Sequence, residues 1–582
     1  MIVPARARIG GVLCLLLLTL LLWSYSLLTL KLPHQNDTLV HLRWAEQFLA
    51  ALREGWVVPH WASASIGGLG DPTFLYYQPL FYYISSAFSL LGLRSELALL
   101  CAAMVPFLLL GCVAYLYLLG QYRNGRALLG AAFIIASPVL YFVATTVGAF
   151  PWALSLPFCV LFVAESTRTQ PRTARLAIFL CLICLSHLLS ALMALSCVGL
   201  ARLALVFPNN RGAVKAQLHW AAGVALGLGL AGFFLYPAVT QLHLVNPAGW
   251  VEGANFDWRR AFALPTFTFA QYGFRWFAIQ LPYALIALLL CLLVVAPLAG
   301  HADTPAQVFA KRLGWVALAA LALGSELAYP LYALLEPMRK LQFPYRFVFL
   351  ALLLANIALV IQLNEGAWKR WRLPVRAIAL GVILAQGAIT AHLQFGLVKY
   401  GEILPARSAF MLGKFGQPEY IPAVRGPDWK QYLETGKFVG ECARLHIACS
   451  DTIQRTHDFS TQIAASASVE VRLPLLAFPA WRVLVDDTPV PLLADAGTGL
   501  VLVNIPPGVH RVATTWSRMP AQTIGWWISG IACIGLLGVN LAGRRARKAP
   551  SKNREHDTNV GNTLHVPGHA AHRTKSRTTS SV

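Results

Sequence analysis

The chain is poor in charged residues, and acidic ones are the scarcest. Charged side chains make up 12% of its 582 residues, with 25 Asp and Glu against 47 Lys and Arg. A soluble chain carries about 25% charged residues, so a large soluble enzyme is excluded, as is a disordered or fibrous chain. The 57% hydrophobic content predicts a membrane protein that crosses the lipid bilayer several times.

Several catalytic signatures are also missing. The sequence has no Gly-rich loop of the P-loop type, so ATP-driven transport by this chain is unsupported. It has neither a His-Glu-x-x-His pair nor a Gly-x-Ser-x-Gly elbow. Acids and bases deep in the apolar runs are nearly absent, with His187 and Glu326 as the exceptions. A proton-coupled transporter would usually carry several, which weakens that function class.

About twelve apolar runs are long enough to cross a membrane, at roughly 17 to 25 residues per span. We therefore predict a mainly α-helical, polytopic membrane protein. The run at 9–30 is too long for a signal peptide and has no cleavage site, which favours a retained anchor. Residues 176–207 form either two short spans or one long helix broken near His187. The predicted helices are 9–30, 96–119, 127–146, 149–165, 176–189, 191–207, 218–238, 281–299, 313–330, 345–363, 376–394 and 522–542.

The formal charge of +22 is also compatible with a nucleic-acid partner, so the positions of the charges have to decide. With a cytoplasmic N-terminus, Lys and Arg gather in the inside loops, and the short outside turns near 147 and 190 hold none. This asymmetry fits the positive-inside rule with both termini in the cytoplasm. Nucleic-acid binding has no support beyond the charge. The inside loops are 120–126, 166–175, 208–217, 300–312 and 364–375.

The apolar runs also divide the chain into domains. Residues 1–394 form a predicted transmembrane domain with a long first outside loop at 31–95. Residues 395–521 form a predicted extracytoplasmic domain, which precedes the last membrane helix at 522–542. The tail at 543–582 is basic and almost devoid of apolar residues, which predicts disorder.

The second half of the extracytoplasmic domain carries strand signals. Residues 468–473 and 481–485 alternate between apolar and polar side chains, and Asp486-Asp487 and Pro506-Pro507-Gly508 supply turns. We therefore expect a small β-sandwich-like unit from about 465 to 518.

Cysteine usage agrees with this topology. Nine of the eleven cysteines lie in predicted membrane helices, where Cys serves as a small apolar residue. Cys442 and Cys449 instead share one outside loop, and an oxidising compartment permits a disulfide between them.

The first outside loop holds the most informative polar residues. Asp37 follows the first predicted helix closely, and on a helix Asp37 and His41 lie four residues apart and share a face. A carboxylate beside an imidazole can act as a general base on a hydroxyl group at the membrane surface. The competing interpretation is that Asp37 or Asn36 only caps a helix over 38–52.

The same loop contains a run of aromatic residues at 74–83, which includes Tyr76 and Tyr77. The run is typical of an interfacial belt, and it would also suit a platform for a sugar ring.

An acidic residue just after the first membrane helix, in a loop with short interfacial helices, resembles the GT-C superfamily of multi-span glycosyltransferases. Within it, the chain is similar to the bacterial membrane proteins labelled "6-pyruvoyl-tetrahydropterin synthase-related" and to the YfhO-like proteins. The resemblance covers about 10–540. The matching segments are Asp37-x-x-x-His41, Pro59-x-Trp61, Gly70 to Tyr83, Ser186 to Leu192, Phe234 to Ala238, Leu341 to Phe347, Glu419 to Pro422, Phe478 to Asp486 and Gly499 to Pro507.

This resemblance implies sugar transfer on the outer face of a bacterial inner membrane. The donor would be a polyprenyl-phosphate-linked sugar, and the acceptor an envelope glycan, lipid or protein. By the same resemblance Asp37 is the candidate base and His41 its neighbour. Three cations, Arg346, Arg339 and Lys340, would hold the donor phosphate.

The sequence also departs from the GT-C pattern. Many such enzymes carry a second acid in the next outside loop, and here the turn at 147–150 has none. Asp71 is the only nearby substitute, which leaves a divalent metal as an open option rather than an expectation. His187 either faces the same cavity or packs between helices. Two other functions compete: a non-catalytic membrane protein of envelope glycan assembly or lipid-linked glycan transport and, less well supported, an ordinary solute transporter.

Overall fold

The computed structural model describes residues 5–33, 37–206, 211–246, 257–263, 273–296, 304–403 and 417–548. The protein is mainly helical, with a small β region near the C-terminus, as predicted. The helices of the first half are Ala5–Thr29, Thr38–Arg53, Thr73–Tyr76, Leu80–Leu90, Ser95–Leu119, Asn124–Ala136, Pro138–Tyr141, Phe150–Ser166, Thr173–Ser186, Leu188–Val206, Arg211–Leu230 and Gly232–Thr240. Those of the second half are Gly273–Val295, Pro305–Leu323, Tyr329–Leu334, Glu336–Arg339, Arg346–Asn364, Ala367–Arg370, Leu373–Tyr400, Trp429–Glu434, Lys437–Arg444 and Pro520–Lys548.

An apolar helix lies at each of the twelve predicted positions, but not all of them have the length of a membrane span. Within the described residues, 7 helices are long and apolar enough to cross a membrane, and a pair bent by 76° at Ala231 would make 8. The remaining positions hold shorter apolar helices, so the predicted number of twelve spans is not confirmed. The shorter helices at those positions are Phe150–Ser166, Thr173–Ser186, Leu188–Arg202 and Leu281–Val295.

The helices differ in how deeply they lie in the protein. In the helix Arg346–Asn364, 89% of the most apolar stretch is buried inside the protein. The corresponding share is 17% in Leu373–Lys399 and in Pro520–Leu541. Arg346–Asn364 is therefore the central helix, and Arg346 is its first residue. The helices Leu373–Lys399 and Pro520–Leu541 leave most of their apolar surface exposed, as lipid-facing helices do.

Two interruptions change the direction of the chain among these helices. Residues Phe142–Val147 wind as a π-helix, which ends at Gly148 with a φ of 73°. π-helical turns are rare and occur often at functional sites. His187 has an extended backbone, with a φ of −161°, and separates the helices on either side of it. The predicted break near His187 is thus confirmed.

A short antiparallel ladder joins the end of the first helix to a distant segment. Strand β1 (Lys31–Pro33) pairs with β2 (Gly401–Ile403), so that Lys31 lies opposite Ile403. The ladder holds the chain just after the first helix and ends at Pro33, four residues before Asp37.

The β region forms two antiparallel sheets. One has the order β3-β4-β10-β6-β7 and the other β5-β9-β8. The predicted strands at 468–473 and 481–485 are present, but the β structure begins at Ala448, earlier than the predicted 465. The strands are β3 (Ala448–Gln454), β4 (Asp458–Ala465), β5 (Val469–Leu476), β6 (Trp481–Val485), β7 (Thr488–Val490), β8 (Leu493–Ala494), β9 (Leu500–Ile505) and β10 (Gly508–Trp516).

Turn chemistry explains the tightest hairpin of this β region. Asp486 and Asp487 join β6 to β7 with φ values of 49° and 62°. A two-residue hairpin turn of type I′ requires positive φ at both positions, and Asp tolerates it better than most residues.

A disulfide bond links Cys442 to Cys449, whose Cα atoms lie 6.2 Å apart. Cys442 belongs to the helix Lys437–Arg444, and Cys449 to β3. Beside it, the buried Glu441 accepts hydrogen bonds from Arg444 and from Arg472 on β5. The bridge and these ion pairs fasten one short helix to both sheets.

The β region packs directly on the first loop of the chain. The buried His457 accepts hydrogen bonds at Nε2 from the backbone N–H groups of His60 and Trp61, at 3.2 Å each. Its ring stacks on Trp56 at 4.3 Å. Burial lowers the pKa of His457 to about 3, which keeps the imidazole neutral and therefore able to accept.

Asp71 organises the turn that continues this loop. Its backbone bridges to Ala62, and its carboxylate accepts hydrogen bonds from the backbone N–H of Thr73, at 3.0 Å, and from the Thr73 hydroxyl. Gly70 has a φ of 77°, and a Cβ atom there would lie 2.0 Å from Trp61 Nε1. Only glycine therefore fits next to Asp71.

We expect Asp71→Asn to gain stability relative to the unchanged protein as the pH rises. Burial raises the pKa of Asp71 to about 7 from 3.8, so the folded state binds a proton that the unfolded chain has lost. Stability therefore falls as the pH rises from about 4 through about 7, by up to about 4 kcal/mol. Asn keeps the acceptor for Thr73 and does not titrate.

Thermal unfolding in detergent at pH 5 and pH 8 measures this effect. At pH 8, Asp71→Asn should be at least as stable as the unchanged protein, even if it is less stable at pH 5. Asp71→Ala should be less stable than the unchanged protein at both pH values. A gap between Asp71→Asn and the unchanged protein that is the same at pH 5 and pH 8 would contradict the prediction.

Candidate active site

Asp37 lies at the start of the helix Thr38–Arg53, and its carboxylate does not cap that helix. The capping interpretation is therefore wrong for the Asp37 side chain, and Asn36, the other candidate cap, lies outside the described residues. Its backbone N–H donates to the carbonyl of Val147 at 3.3 Å. The side chain is exposed, and it makes no side-chain hydrogen bond or ion pair with any residue that the structure describes.

The environment of Asp37 favours a carboxyl group that holds its proton more tightly than usual. Burial of the site raises the pKa of Asp37, and the positive charge of Arg346 opposes this shift. The side chain thus keeps a water-accessible surface while protein atoms crowd around it. A carboxylate with a raised pKa is a stronger base, which suits proton abstraction near neutral pH.

Arg346 interacts electrostatically with Asp37 without a contact ion pair. Its guanidinium lies over Phe343 at 4.9 Å and over Trp152 at 5.5 Å, and one amino group donates to the carbonyl of Leu341 at 3.3 Å. Its Nε–H is buried and has no hydrogen-bond partner in the part of the chain that the structure describes. Four of the five N–H donors that an arginine carries are therefore uncommitted among the described residues.

His187 shares the aromatic support of Arg346. Its ring stacks on Trp152 at 6.1 Å, and its Nδ1 is 2.7 Å from the hydroxyl of Ser190. The buried indole N–H of Trp152 has no hydrogen-bond partner within the described ranges. His187 thus belongs to the same cluster as Arg346, where its direct partner is a helix-packing serine.

His41 lies next to Asp37 in the helix but is not bonded to its carboxylate. It is 1% exposed, and its Nδ1 lies 2.8 Å from the hydroxyl of Tyr82. Burial lowers the pKa of His41 to about 3, so the imidazole is neutral. The expected carboxylate–imidazole pair is therefore not formed, and His41 packs among aromatic rings instead.

The two tyrosines singled out in the aromatic run differ, because the hydroxyl of Tyr76 is committed and that of Tyr77 is free among the described residues. Tyr76 donates to the carbonyl of Gln241 at 2.7 Å. Tyr77 is partly exposed, and its ring lies 4.6 Å from Trp44 and 6.1 Å from Tyr420. The Tyr77 hydroxyl has no hydrogen-bond partner in the described part of the chain, and it interacts electrostatically with Asp37 and Arg346.

A glycine turn places the start of the Asp37 helix. Gly148 has a φ of 73°, and a Cβ atom there would lie 2.3 Å from the hydroxyl oxygen of Thr38. The turn at 147–150, which carries no acid of its own, thus closes directly on Asp37 and Thr38.

The sequence did not identify one further carboxyl group at this site. Glu419, in the short 3₁₀ helix Pro418–Tyr420, is half-buried and interacts electrostatically with Asp37 and Tyr77. It comes from the segment after the membrane domain, so spacing along the chain gave no signal. Its position in a motif of the family resemblance was the one available hint.

Three of the predicted substrate-binding residues have other partners in the structure. Asp71 is 0% exposed and belongs to the turn described above. Arg339 donates to the carbonyls of Tyr332 and Ala333, and Lys340 forms an ion pair with Glu336 at 3.2 Å. Contact of these three residues with a substrate stays a prediction. Among the described residues, no group of three or more His, Cys, Asp or Glu side chains is arranged to hold a metal ion.

The arrangement combines a water-accessible carboxylate, a guanidinium with free donors and a free phenol hydroxyl. A carboxylate can accept a proton, and a guanidinium matches the oxygens of a phosphate group. Such a site is suited to activate a hydroxyl group beside a phosphate ester. The polar groups are surrounded by aromatic rings, as in sites that bind apolar and sugar-like ligands.

Known proteins offer two comparisons. A family described as "6-pyruvoyl-tetrahydropterin synthase related domain; membrane protein" matches residues 74–393, and no curated protein matches. Among solved structures, the chain is similar to the cryo-EM structure of arabinofuranosyltransferase AftD from mycobacteria, with 16% sequence identity and a TM-score of 0.44. That match covers 89% of this chain and 42% of that one, so this chain spans less than half of its length. Because the family match extends over more than half of the sequence, the chain belongs to the 6-pyruvoyl-tetrahydropterin synthase related family of membrane proteins.

Proposed function

We propose that the protein is a membrane glycosyltransferase. It transfers a sugar from a polyprenyl-phosphate-linked donor to an acceptor of the cell envelope, on the outer face of a bacterial inner membrane. The observation that carries this proposal is the electrostatic interaction between Asp37 and Arg346, two groups from distant parts of the chain that form no contact ion pair among the described residues.

The unpaired donors of Arg346 support an anionic ligand. A buried polar group without a partner costs about 1 to 3 kcal/mol, and proteins keep such groups chiefly where a ligand or water satisfies them. A phosphate diester brings one negative charge and oxygens spaced for a guanidinium. With its apolar chain in the lipid, the donor would present this phosphate at the end of the central helix, where Arg346 lies.

The chemistry then assigns one task to each group. Asp37 accepts the proton of an acceptor hydroxyl, whose oxygen attacks the anomeric carbon of the donor sugar. The bond from that carbon to the phosphate oxygen breaks, and the polyprenyl phosphate leaves with the bonding electrons. Arg346 stabilises the second negative charge that forms on the phosphate. Tyr77 is placed to donate a hydrogen bond to the sugar or the phosphate.

Asp37→Asn should abolish transfer while leaving the protein folded. Asn keeps the shape of the side chain but cannot take up a proton, so we expect a drop of about 100-fold or more. In the unchanged protein, activity should also fall as the pH decreases through the pKa of Asp37, because the protonated carboxyl is no base. The measurement is transfer of labelled sugar to envelope material in membranes of a strain that lacks the unchanged gene.

Matched protein levels and unchanged thermal unfolding serve as controls for this variant. His41→Asn is a useful comparison, since His41 is expected to act through packing and to cost less. Full activity of Asp37→Asn would remove the catalytic proposal in favour of the non-catalytic alternative, a protein of envelope glycan assembly or transport.

Arg346→Ala should weaken donor use more than Arg346→Lys. Lysine retains the positive charge but not the planar fork that contacts two phosphate oxygens. We expect a higher KM for the polyprenyl-phosphate donor in both variants, with the larger increase in Arg346→Ala. Equal KM values in the two variants and the unchanged protein would show that Arg346 does not bind the donor phosphate.

The proposed orientation has a separate test. Reporter fusions after Arg372 and after Thr435 should give opposite signals, because Arg372 lies in a predicted cytoplasmic loop and Thr435 in the predicted extracytoplasmic domain. Equal signals from the two fusions would be incompatible with the proposed topology.

A further inference from the structure

The segment that carries Glu419 is fastened to the rim of the candidate active site. The ring of Tyr420 stacks on Tyr76 at 6.4 Å and meets Tyr77 and Trp44 edge-on, at 6.1 and 5.9 Å. Trp44 and Tyr77 also contact the ring of His41, at 5.8 Å each, and we call the rings around His41 and Tyr420 the aromatic wall. These contacts of Tyr420 therefore hold the backbone at the adjacent residue Glu419.

Backbone pairing continues this attachment beyond Tyr420. Pro422 bridges to Val245, and the N–H of Ala423 donates to the carbonyl of Leu244 at 2.9 Å. Tyr76 reaches the same turn through its hydrogen bond to Gln241. The segment thus lies in a fixed register between two parts of the membrane domain.

Among the described residues, no cation forms an ion pair with the Glu419 carboxyl. Burial raises the pKa of Glu419, and the charge of Asp37 raises it further, while a hydrogen bond from its own backbone N–H opposes this shift. The other ionisable groups that interact with it are Asp71 and Tyr77, and His243, on the turn that holds the segment, is exposed. None of these neighbours favours the ionised form.

We propose that Glu419 is a second carboxyl group of this site, which binds the sugar–phosphate part of the donor in its neutral form and weakens that binding when it ionises. This inference rests on the proposed function, and it adds a residue and a control by pH to it. A protonated carboxyl both donates and accepts hydrogen bonds, which matches sugar hydroxyl and phosphate oxygens.

Charge balance is the physical reason for this behaviour. The described side chains at the site provide one cation, Arg346, against the anionic Asp37, and a phosphate diester adds a further negative charge. An ionised Glu419 would leave the bound complex with an excess of two negative charges in a desolvated site, where repulsion is only weakly screened.

Binding of farnesyl methyl phosphate to the full-length protein in detergent tests the proposal. This diester has one negative charge that does not change between pH 4.5 and pH 8, so changes in its Kd report on the protein. We expect the affinity of the unchanged protein to fall as the pH rises, with a step of about 3- to 10-fold that belongs to Glu419. Glu419→Gln, which is always neutral, should lose this step.

Two variants assign the step to a residue. Glu434→Gln changes an exposed glutamate on the nearby helix Trp429–Glu434 and should keep the step. Asp37→Asn should move it to lower pH, because the charge that raises the pKa of Glu419 is gone. A step that persists in Glu419→Gln, or that disappears in Asp71→Asn instead, would overturn the inference.

The same titration separates this inference from the proposed function. If the diester does not bind, or binds equally well to Arg346→Ala, the proposed donor site fails. If binding depends on Arg346 but the pH profile of Glu419→Gln equals that of the unchanged protein, only the role of Glu419 is refuted.

Discussion

The architecture around the site depends on keeping two opposite charges close together without letting them pair. A contact ion pair between Asp37 and Arg346 would satisfy both groups and leave neither for a ligand. Each group is instead held by separate contacts. Arg346 packs on the rings of Trp152 and Phe343 and donates to one backbone carbonyl. The backbone of Asp37 is bonded to the turn that ends at Gly148.

The membrane domain does not complete the site by itself. The β region binds the first loop through hydrogen bonds to the neutral His457. The ring of Tyr420 packs against the aromatic wall. The carboxyl groups of Asp37 and Glu419 therefore come from segments 382 residues apart in the sequence. The tryptophan and tyrosine rings of the first loop form the surface that the β region and the segment around Tyr420 contact.

The sequence predicted the membrane class, the positions of the helices, several strands and the break at His187, because hydropathy and turn chemistry act locally. It also singled out Asp37 and Arg346, which the structure brings within electrostatic range of each other. It did not reveal that His41 would turn to Tyr82, or that Arg339 and Lys340 would satisfy local partners. Such choices depend on which side chains meet in space. Glu419 was not identified as a residue of the site for the same reason, because its spacing from Asp37 along the chain gives no signal.

The distance along the chain between His457 and its partner His60 is 397 residues, and this has a consequence for synthesis. At about 5 to 20 residues per second, roughly 20 to 80 seconds pass between the appearance of the first loop and that of the imidazole that holds it. For that interval the tryptophan-rich face of the loop has no β region to cover it. The packing of this loop can therefore be completed only after most of the chain has been synthesised.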